Sequence, residues 1–478
     1  MEEPQQLLSR RAEIEKTALT GSQLPRGQFI FSFSLVTMLF FLWGLSYGLI
    51  DSLNAHVQTV FNLSIAQSTA FQAAYFGSYL VMAPWAGVFM RRFGFKKGIH
   101  VGLGLFSLGT IMFWPCAIFK SYPGFIVCTF VAASGLSWLE VAANTYITVL
   151  APKPGSAPFL LSFAQAFNGL ATVIGPLIAS KAFYSVGVSL GGVQYTYLGV
   201  SMLGVLINLG FWVAPLPEVR QAVSVETEKR IQGSFWTQWH TTIGAFCQFL
   251  YVGAQVACAA LSINYIISQP IPGHPEGISK ATAANMYAGL QASFTLGRFL
   301  TAPLLKSCDP CLVLGIYGVM TCVFVAVSGT VGGIAGIVSL YFLFFFESVQ
   351  YPTIYAIATS GLGSYAKIGG SFVAAGVSGG AWYPAALASF ADRKDIAHAH
   401  TRAYLLAMFG FVAVSAYGFG MFIDQGKRRG HYTWRNLNDL GNLPARGELP
   451  AQATASGHWV TEAGQSSVEE TDSKELKV

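Results

Sequence analysis

The sequence predicts an all-α membrane protein, with twelve transmembrane helices in two six-helix halves around a central cavity. Three observations predict it. The 478 residues are 53% hydrophobic and only 10% charged, with a mean hydropathy of +0.50, whereas a soluble chain carries about a quarter charged residues. Mostly apolar runs of about 20 residues, the length that crosses a bilayer as a helix, recur twelve times along the chain. A charged linker at 217–234 divides these runs six and six. The 51 glycines also suit packed membrane helices, where Gly is more frequent than in soluble ones.

In order, residues 1–28 form a polar cytosolic tail without a cleavable leader, so the first helix acts as its own signal. The first bundle, 29–214, holds helices at 29–57, 67–90, 99–119, 125–150, 160–184 and 195–214. After a cytosolic linker at 215–238, the second bundle, 239–423, holds helices at 239–267, 281–305, 312–331, 334–359, 369–390 and 403–423. Residues 424–478 are polar, cannot bury a core and read as a largely disordered cytosolic tail. Basic residues gather in the N-terminal tail (Arg10, Arg11, Lys16, Arg26), the second–third loop (Arg91, Arg92, Lys96, Lys97), the linker (Arg220, Lys229, Arg230) and the C-terminal flank (Lys427, Arg428, Arg429). All fall on one side, which the positive-inside rule makes cytosolic. The +6 net charge is thus a topology signal rather than a nucleic-acid footprint, and no nucleic-acid partner is expected. The sequon Asn62-Leu63-Ser64 lies too near the membrane to be used.

Enzyme chemistry finds no support. The glycine-rich stretches lie in or beside membrane helices and lack the strand and Lys-Ser/Thr of a phosphate loop. Most of the seven cysteines fall in apolar runs, where Cys behaves as a small hydrophobe. Cys308-Asp-Pro-Cys311 has no second pair to complete a zinc site. No catalytic residue, metal or organic cofactor is expected, only protons as a coupling ion.

The chemistry gathers on polar residues at bilayer depth. Glu140 sits inside the fourth apolar run, and Asn144 shares its face one turn on. An intramembrane acid is costly and is by default a functional group facing a cavity or partner. On helix one, Trp43, Tyr47 and Asp51 step by four along one stripe, an acid beneath aromatic rings that suit the C–H face of a sugar. Helix five pairs Gln165 with Asn168, whose amides suit vicinal hydroxyls. Gln255 lies on helix seven; Gln291 and Arg298 lie on helix eight, with Arg298 read as structural. Helix ten carries Glu347, Gln350 and Tyr351, an acid followed by an amide much as in helix four, and Glu347 is a possible extra acid. The glycines of helix eleven allow close contact and sliding.

Two six-helix halves around a cavity are the plan of the major facilitator superfamily. Within it the chain resembles the fucose–proton symporters. The resemblance is carried by Leu39-Phe-Phe-Leu-Trp43-Gly, Glu140-Val-Ala-Ala-Asn144, Ala164-Gln165-Ala-Phe-Asn168, Tyr251-Val-Gly-Ala-Gln255-Val-Ala-Cys258, Gly297-Arg298-Phe299, Gln350-Tyr-Pro-Thr-Ile354 and the stretch 365–372. It implies substrate–proton symport by alternating access, with Asp51 and Glu140 as the proton-linked acids, Gln165 and Asn168 near substrate, and Trp43 as a cavity aromatic. The chain departs from the pattern at Tyr47 to Ile50, where asparagines precede the acid; at Thr145, in place of proline; at Ala259 and Asn264; and at Glu347, where a small residue is common.

The leading expectation is proton-coupled symport of a fucose-, galactose- or glucose-like monosaccharide or small polyol. The protein is expected to work as a monomer in the lipid bilayer of the plasma membrane, with both termini cytosolic. The substrate contacts are Trp43, Tyr47, Asn144, Gln165, Asn168, Gln255, Gln291, Gln350 and Tyr351. The alternatives are a proton-driven exporter of a drug or secondary metabolite and a non-transporting nutrient sensor.

Overall fold

A computed structural model describes residues 19–61, 65–184, 191–221, 235–270, 278–391, 393, 395–396, 398–440 and 442–443. For 50–60, 65–69, 154, 176, 179–184, 191–192 and 280–281 it describes the backbone alone. The first bundle comprises α1 (Arg26–Phe61), α2 (Ile65–Phe93), α3 (Phe95–Ile111) with α4 (Phe113–Ile118), α5 (Tyr122–Leu150), α6 (Ala157–Tyr184) and α7 (Gly191–Val213). The second comprises α8 (Trp239–Ser268), α9 (Lys280–Ser307), α10 (Pro310–Thr330), α11 (Gly333–Glu347) with α12 (Gln350–Ala358), α13 (Ala366–Ala375) with α14 (Tyr383–Ala391), and α15 (Ala399–Arg429). Ten segments are long and apolar enough to span a membrane by themselves. α9 and the broken α13–α14 pair complete twelve crossings among the described residues. Two short strands, β1 (Leu19–Thr20) and β2 (Val219–Arg220), pair in parallel and tie the N-terminal tail to the linker.

The helix ends follow local chemistry. Ser121 Oγ accepts from Gly124 N at 3.2 Å to start α5, and Asp309 accepts from Cys311 N at 2.9 Å to start α10 behind Pro310. Both satisfy backbone donors that a helix start leaves open. Cys308-Asp-Pro-Cys311 is therefore a helix start. At the far end of α15, Gly430 takes φ +79, the left-handed C-terminal cap that glycine adopts without strain.

Two crossings differ from the straight helices expected. The eleventh breaks into α13, a 3₁₀ stretch at Gly376–Ala381, and α14. A Cβ at Gly379 would lie 1.9 Å from the Phe249 carbonyl oxygen of α8. One at Gly380 would lie 2.8 Å from the Phe76 ring of α2. Missing side chains thus let this backbone touch both bundles at once. The tenth breaks at Ser348, whose hydroxyl turns back to Phe345 O at 2.7 Å. Large apolar side chains such as Trp85, Phe246 and Phe409 remain exposed, as expected of surfaces facing lipid tails.

The expected cytosolic tail is described in part, at 424–440 and 442–443. α15 runs past 423 to Arg429, which meets Asp309 at 3.2 Å and Asp439 at 2.5 Å. Beyond it the chain folds back as a strap. Asp309 N donates to Trp434 O at 2.8 Å. Asn436 Nδ2 reaches both Gly155 O at 2.8 Å, in the first bundle, and Leu305 O at 3.0 Å, in the second. A polar segment finds partners here that composition does not reveal. Residues 444–478 and the Asn62 sequon lie outside the described residues.

The bundles meet most closely on the side carrying both termini. Lys367 pairs with Glu218 at 3.1 Å, and Arg91 lies over the Tyr365 ring at 4.7 Å. Gln221 bonds Thr359 O, Leu362 N and Gly363 N. Phe299 of α9 packs edge-on against Phe163 and Phe167 of α6.

Candidate functional site

α5 places Glu140 and Asn144 on one face, at the centre of the interface between the bundles. Glu140 is 2% exposed. The Tyr351 hydroxyl, from the opposite bundle, donates to its Oε1, while Oε2 meets no hydrogen-bond partner among the described residues. Asn144 Nδ2 faces the same hydroxyl at 3.5 Å, and its Oδ1 accepts from Gln165 Nε2 at 2.9 Å. One turn on, Thr145 and Tyr355 share a hydrogen bond of 2.8 Å across the interface. The structure therefore brings together Glu140, Asn144, Gln165 and Tyr351.

Arg298 stands beside this group and joins the halves. Its Nε donates to Ser348 O at 2.9 Å, and its Nη1 to Gln165 O at 2.6 Å and Asn168 Oδ1 at 3.1 Å. Its guanidinium lies over the Phe294 ring at 4.5 Å. A fixed cation within electrostatic range of Glu140 and Glu347 balances acids that the interior could not otherwise hold cheaply.

Above this layer, away from the terminal side, lies a partly open cavity of about 90 Å³, smaller than the roughly 300–1,000 Å³ of most small-ligand sites. Its floor is Arg298, Asn168 and Tyr351. One wall, from the first bundle, is aromatic: Trp43, Tyr47 and Phe76. Trp43 Nε1 donates to Tyr75 at 3.1 Å, and Tyr47 packs edge-on against Phe76 at 6.3 Å. The second bundle contributes Gln255, Gln291 and Glu347, with Phe294 and Phe344. Gln291 Nε2 is held by Tyr287 at 2.7 Å. Among the described residues, no group of three or more His, Cys, Asp or Glu is placed to hold a metal ion.

Of the residues singled out in the sequence, Trp43, Tyr47, Asn168, Gln255, Gln291, Glu347 and Tyr351 line the cavity. Glu140, Asn144 and Gln165 lie beneath it, reached through Tyr351. Asn168 spends its Oδ1 on Arg298 and its Nδ2 on Phe40 O at 3.2 Å, so it shapes the floor more than it offers free polar groups. Gln350 is a correction: it turns from the cavity, its Nε2 bonding Thr321 Oγ1 of α10 at 3.1 Å. Glu347 and Tyr351 share the cavity face one turn apart, which sets Gln350 about 100° round the helix from Tyr351. The backbone of Asp51 lies in α1; its side chain lies outside those described. Arg298, read as structural, bonds backbone carbonyls of both bundles and also lines the cavity, on a stripe with Gln291 and Phe294 (i, i+3, i+7).

The sequence profile of the Major Facilitator Superfamily matches residues 33–384. A glucose/galactose transporter of Brucella abortus is 30% identical over 405 residues, covering 84% of this chain and 95% of that protein. An L-fucose-proton symporter of Escherichia coli is 31% identical over 381 residues, covering 74% of this chain and 85% of that one. Among solved structures, the transporter FucP in its outward conformation superposes with a TM-score of 0.70 at 29% identity, over 82% of this chain and 99% of FucP. The proton:xylose symporter XylE shares the fold, with a TM-score of 0.61 at 16% identity, over 83% of this chain and 96% of its own.

Proposed function

We propose, from the premise that this chain belongs to the major facilitator superfamily and to its fucose–proton symporter family, that it carries a monosaccharide across a membrane together with protons. It is a multi-pass membrane protein, and its relatives are transporters rather than enzymes. One observation carries the reading. Tyr351 lines the cavity and its hydroxyl donates to Glu140, so the buried acid stands one side chain from the space a sugar fills.

The cycle follows from this geometry. With the terminal side cytosolic, in the plasma membrane, the sealed side faces the cell and the cavity faces outward. An ionised Glu140 holds Tyr351 across the interface by a charge-assisted hydrogen bond, about twice as strong as a neutral one. A proton taken from outside removes that assistance and loosens the tie between the bundles. Sugar then fills the cavity, its C–H face against Trp43 and Tyr47 and its hydroxyls toward Gln255 and Gln291. The bundles rock, and release inside lets Glu140 give up its proton and restore the tie. Asp51, as the second acid of α1, shares the proton traffic. One chain encloses the whole cavity, so a monomer suffices, with the bilayer as its surroundings and no cofactor beyond the coupling proton.

The test uses proteoliposomes with an imposed inward proton gradient, following internal pH as hexoses, deoxyhexoses and pentoses are added. Sugar-dependent internal acidification is the expected result. Silence across the panel from folded protein refutes sugar symport.

A further inference from the structure

Glu347 is the feature that the proton mechanism leaves unused. It ends α11, is 1% exposed, and lines the cavity. Among the described residues, neither of its carboxyl oxygens has a hydrogen-bond partner. Two nearby side chains direct hydrogen bonds elsewhere. The Tyr251 hydroxyl bonds the backbone oxygen of Glu347 at 2.7 Å rather than its side chain. Arg298 spends Nε and Nη1 on Ser348, Gln165 and Asn168. A buried carboxyl left without hydrogen bonds is among the most expensive arrangements a protein interior can hold. Such a group aimed into a cavity is made whole by what enters that cavity.

The occupant must bring donors. An ionised carboxyl is acceptor-only, with two oxygens side by side, a spacing that suits two hydroxyls on adjacent carbons. The first bundle contributes the aromatic set Trp43, Tyr47 and Phe76, which takes an apolar ring face. Gln255 and Gln291 line the same cavity. We propose that Glu347 is the specificity-determining contact of the second bundle, its carboxyl receiving a vicinal pair of hydroxyls from the sugar. A sugar so held touches the aromatic wall of one bundle and the acid of the other, and so bridges the halves that must move together. This inference rests on the reading of the protein as a sugar symporter.

The test is equilibrium binding to the purified full-length protein of radiolabelled D-glucose, D-galactose and L-fucose, then of the monodeoxy analogues of the tightest binder. In the unmodified protein, two analogues lacking hydroxyls at neighbouring carbons should each bind roughly 10- to 100-fold more weakly, the range for one hydrogen bond to a charged group. In Glu347→Gln and Glu347→Ala the parent sugar should weaken, and the same two analogues should then bind about as well as the parent. Glu347→Asp, which keeps a carboxyl, should preserve the discrimination in reduced form and so separates lost chemistry from lost folding. An unchanged analogue profile in a binding-competent Glu347→Gln protein overturns the inference while leaving sugar symport standing. Tighter binding of the matching amino sugar than of any neutral sugar also overturns it, by assigning the acid to a cation. If no sugar binds the unmodified protein, symport itself falls, and this inference with it.

Discussion

Glu140 and Glu347 stand on the fourth and tenth crossings, the corresponding helices of the two bundles, and both are almost wholly buried. Their surroundings differ. Glu140 is held by Tyr351 of the other bundle and has Tyr79 and Asn144 within reach. Glu347 faces a cavity with both oxygens bare. One residue type thus acquires two roles from its neighbours. An acid tied across an interface makes the union of the halves depend on its charge. An acid without partners makes the cavity's contents depend on what can supply them.

The comparison breaks most visibly at Glu140. Glu140→Gln should abolish proton-driven accumulation while sugar counterflow persists, because a neutral side chain can still meet Tyr351 but cannot cycle a proton. Accumulation surviving at the unmodified rate would end the assignment. Next comes Arg298→Ala, which unbinds Ser348 O, Gln165 O and Asn168 together. Each acceptor left buried and unmet costs roughly 1–3 kcal/mol. The variant should lose transport and show a clearly lower unfolding temperature in detergent. Tyr351→Phe is narrower: it removes the hydroxyl that donates to Glu140. Coupled uptake should slow by about tenfold or more, the worth of one charge-assisted bond, with sugar affinity changing far less; uptake rates at several external pH values beside equilibrium binding separate the two. The smallest effect belongs to Gln350→Ala. Since this amide bonds Thr321 behind the wall, sugar affinity should stay within about twofold, with a stability loss near ~0.6 kcal/mol, typical of an interhelical bond. A large affinity loss there would return Gln350 to the cavity.

How far the sequence reached depends on how straight its helices run. Along the unbroken α5, spacing alone puts Glu140 and Asn144 on one face, and there Asn144 meets Gln165 of α6. On the tenth crossing the reading paired Glu347 with Gln350 by analogy to Glu140 and Asn144. A three-residue step, followed past the break at Ser348, does not keep the face that a four-residue step keeps. Tyr351 takes the cavity position instead. The structural reading of Arg298 fits its bonds to Ser348 O and Gln165 O, but which carbonyls it meets has no sequence signature. The split of the eleventh crossing was equally hidden: its glycines announce close contact, but not that Phe249 and Phe76 press from two sides. The strap escaped altogether, since its polar composition resembles that of a free tail until Arg429 is seen to meet Asp309 and Asp439.

That strap bears on how the protein is made. Asn436 joins Gly155 to Leu305, yet it follows all twelve crossings in the chain. During synthesis, domains form from the N-terminal end first, so the first bundle is folded before the residue that staples it to the second has been made. A chain truncated after Arg429 keeps every crossing but lacks this link at its terminal-side seal, a form that protease accessibility at the linker would distinguish from the finished transporter.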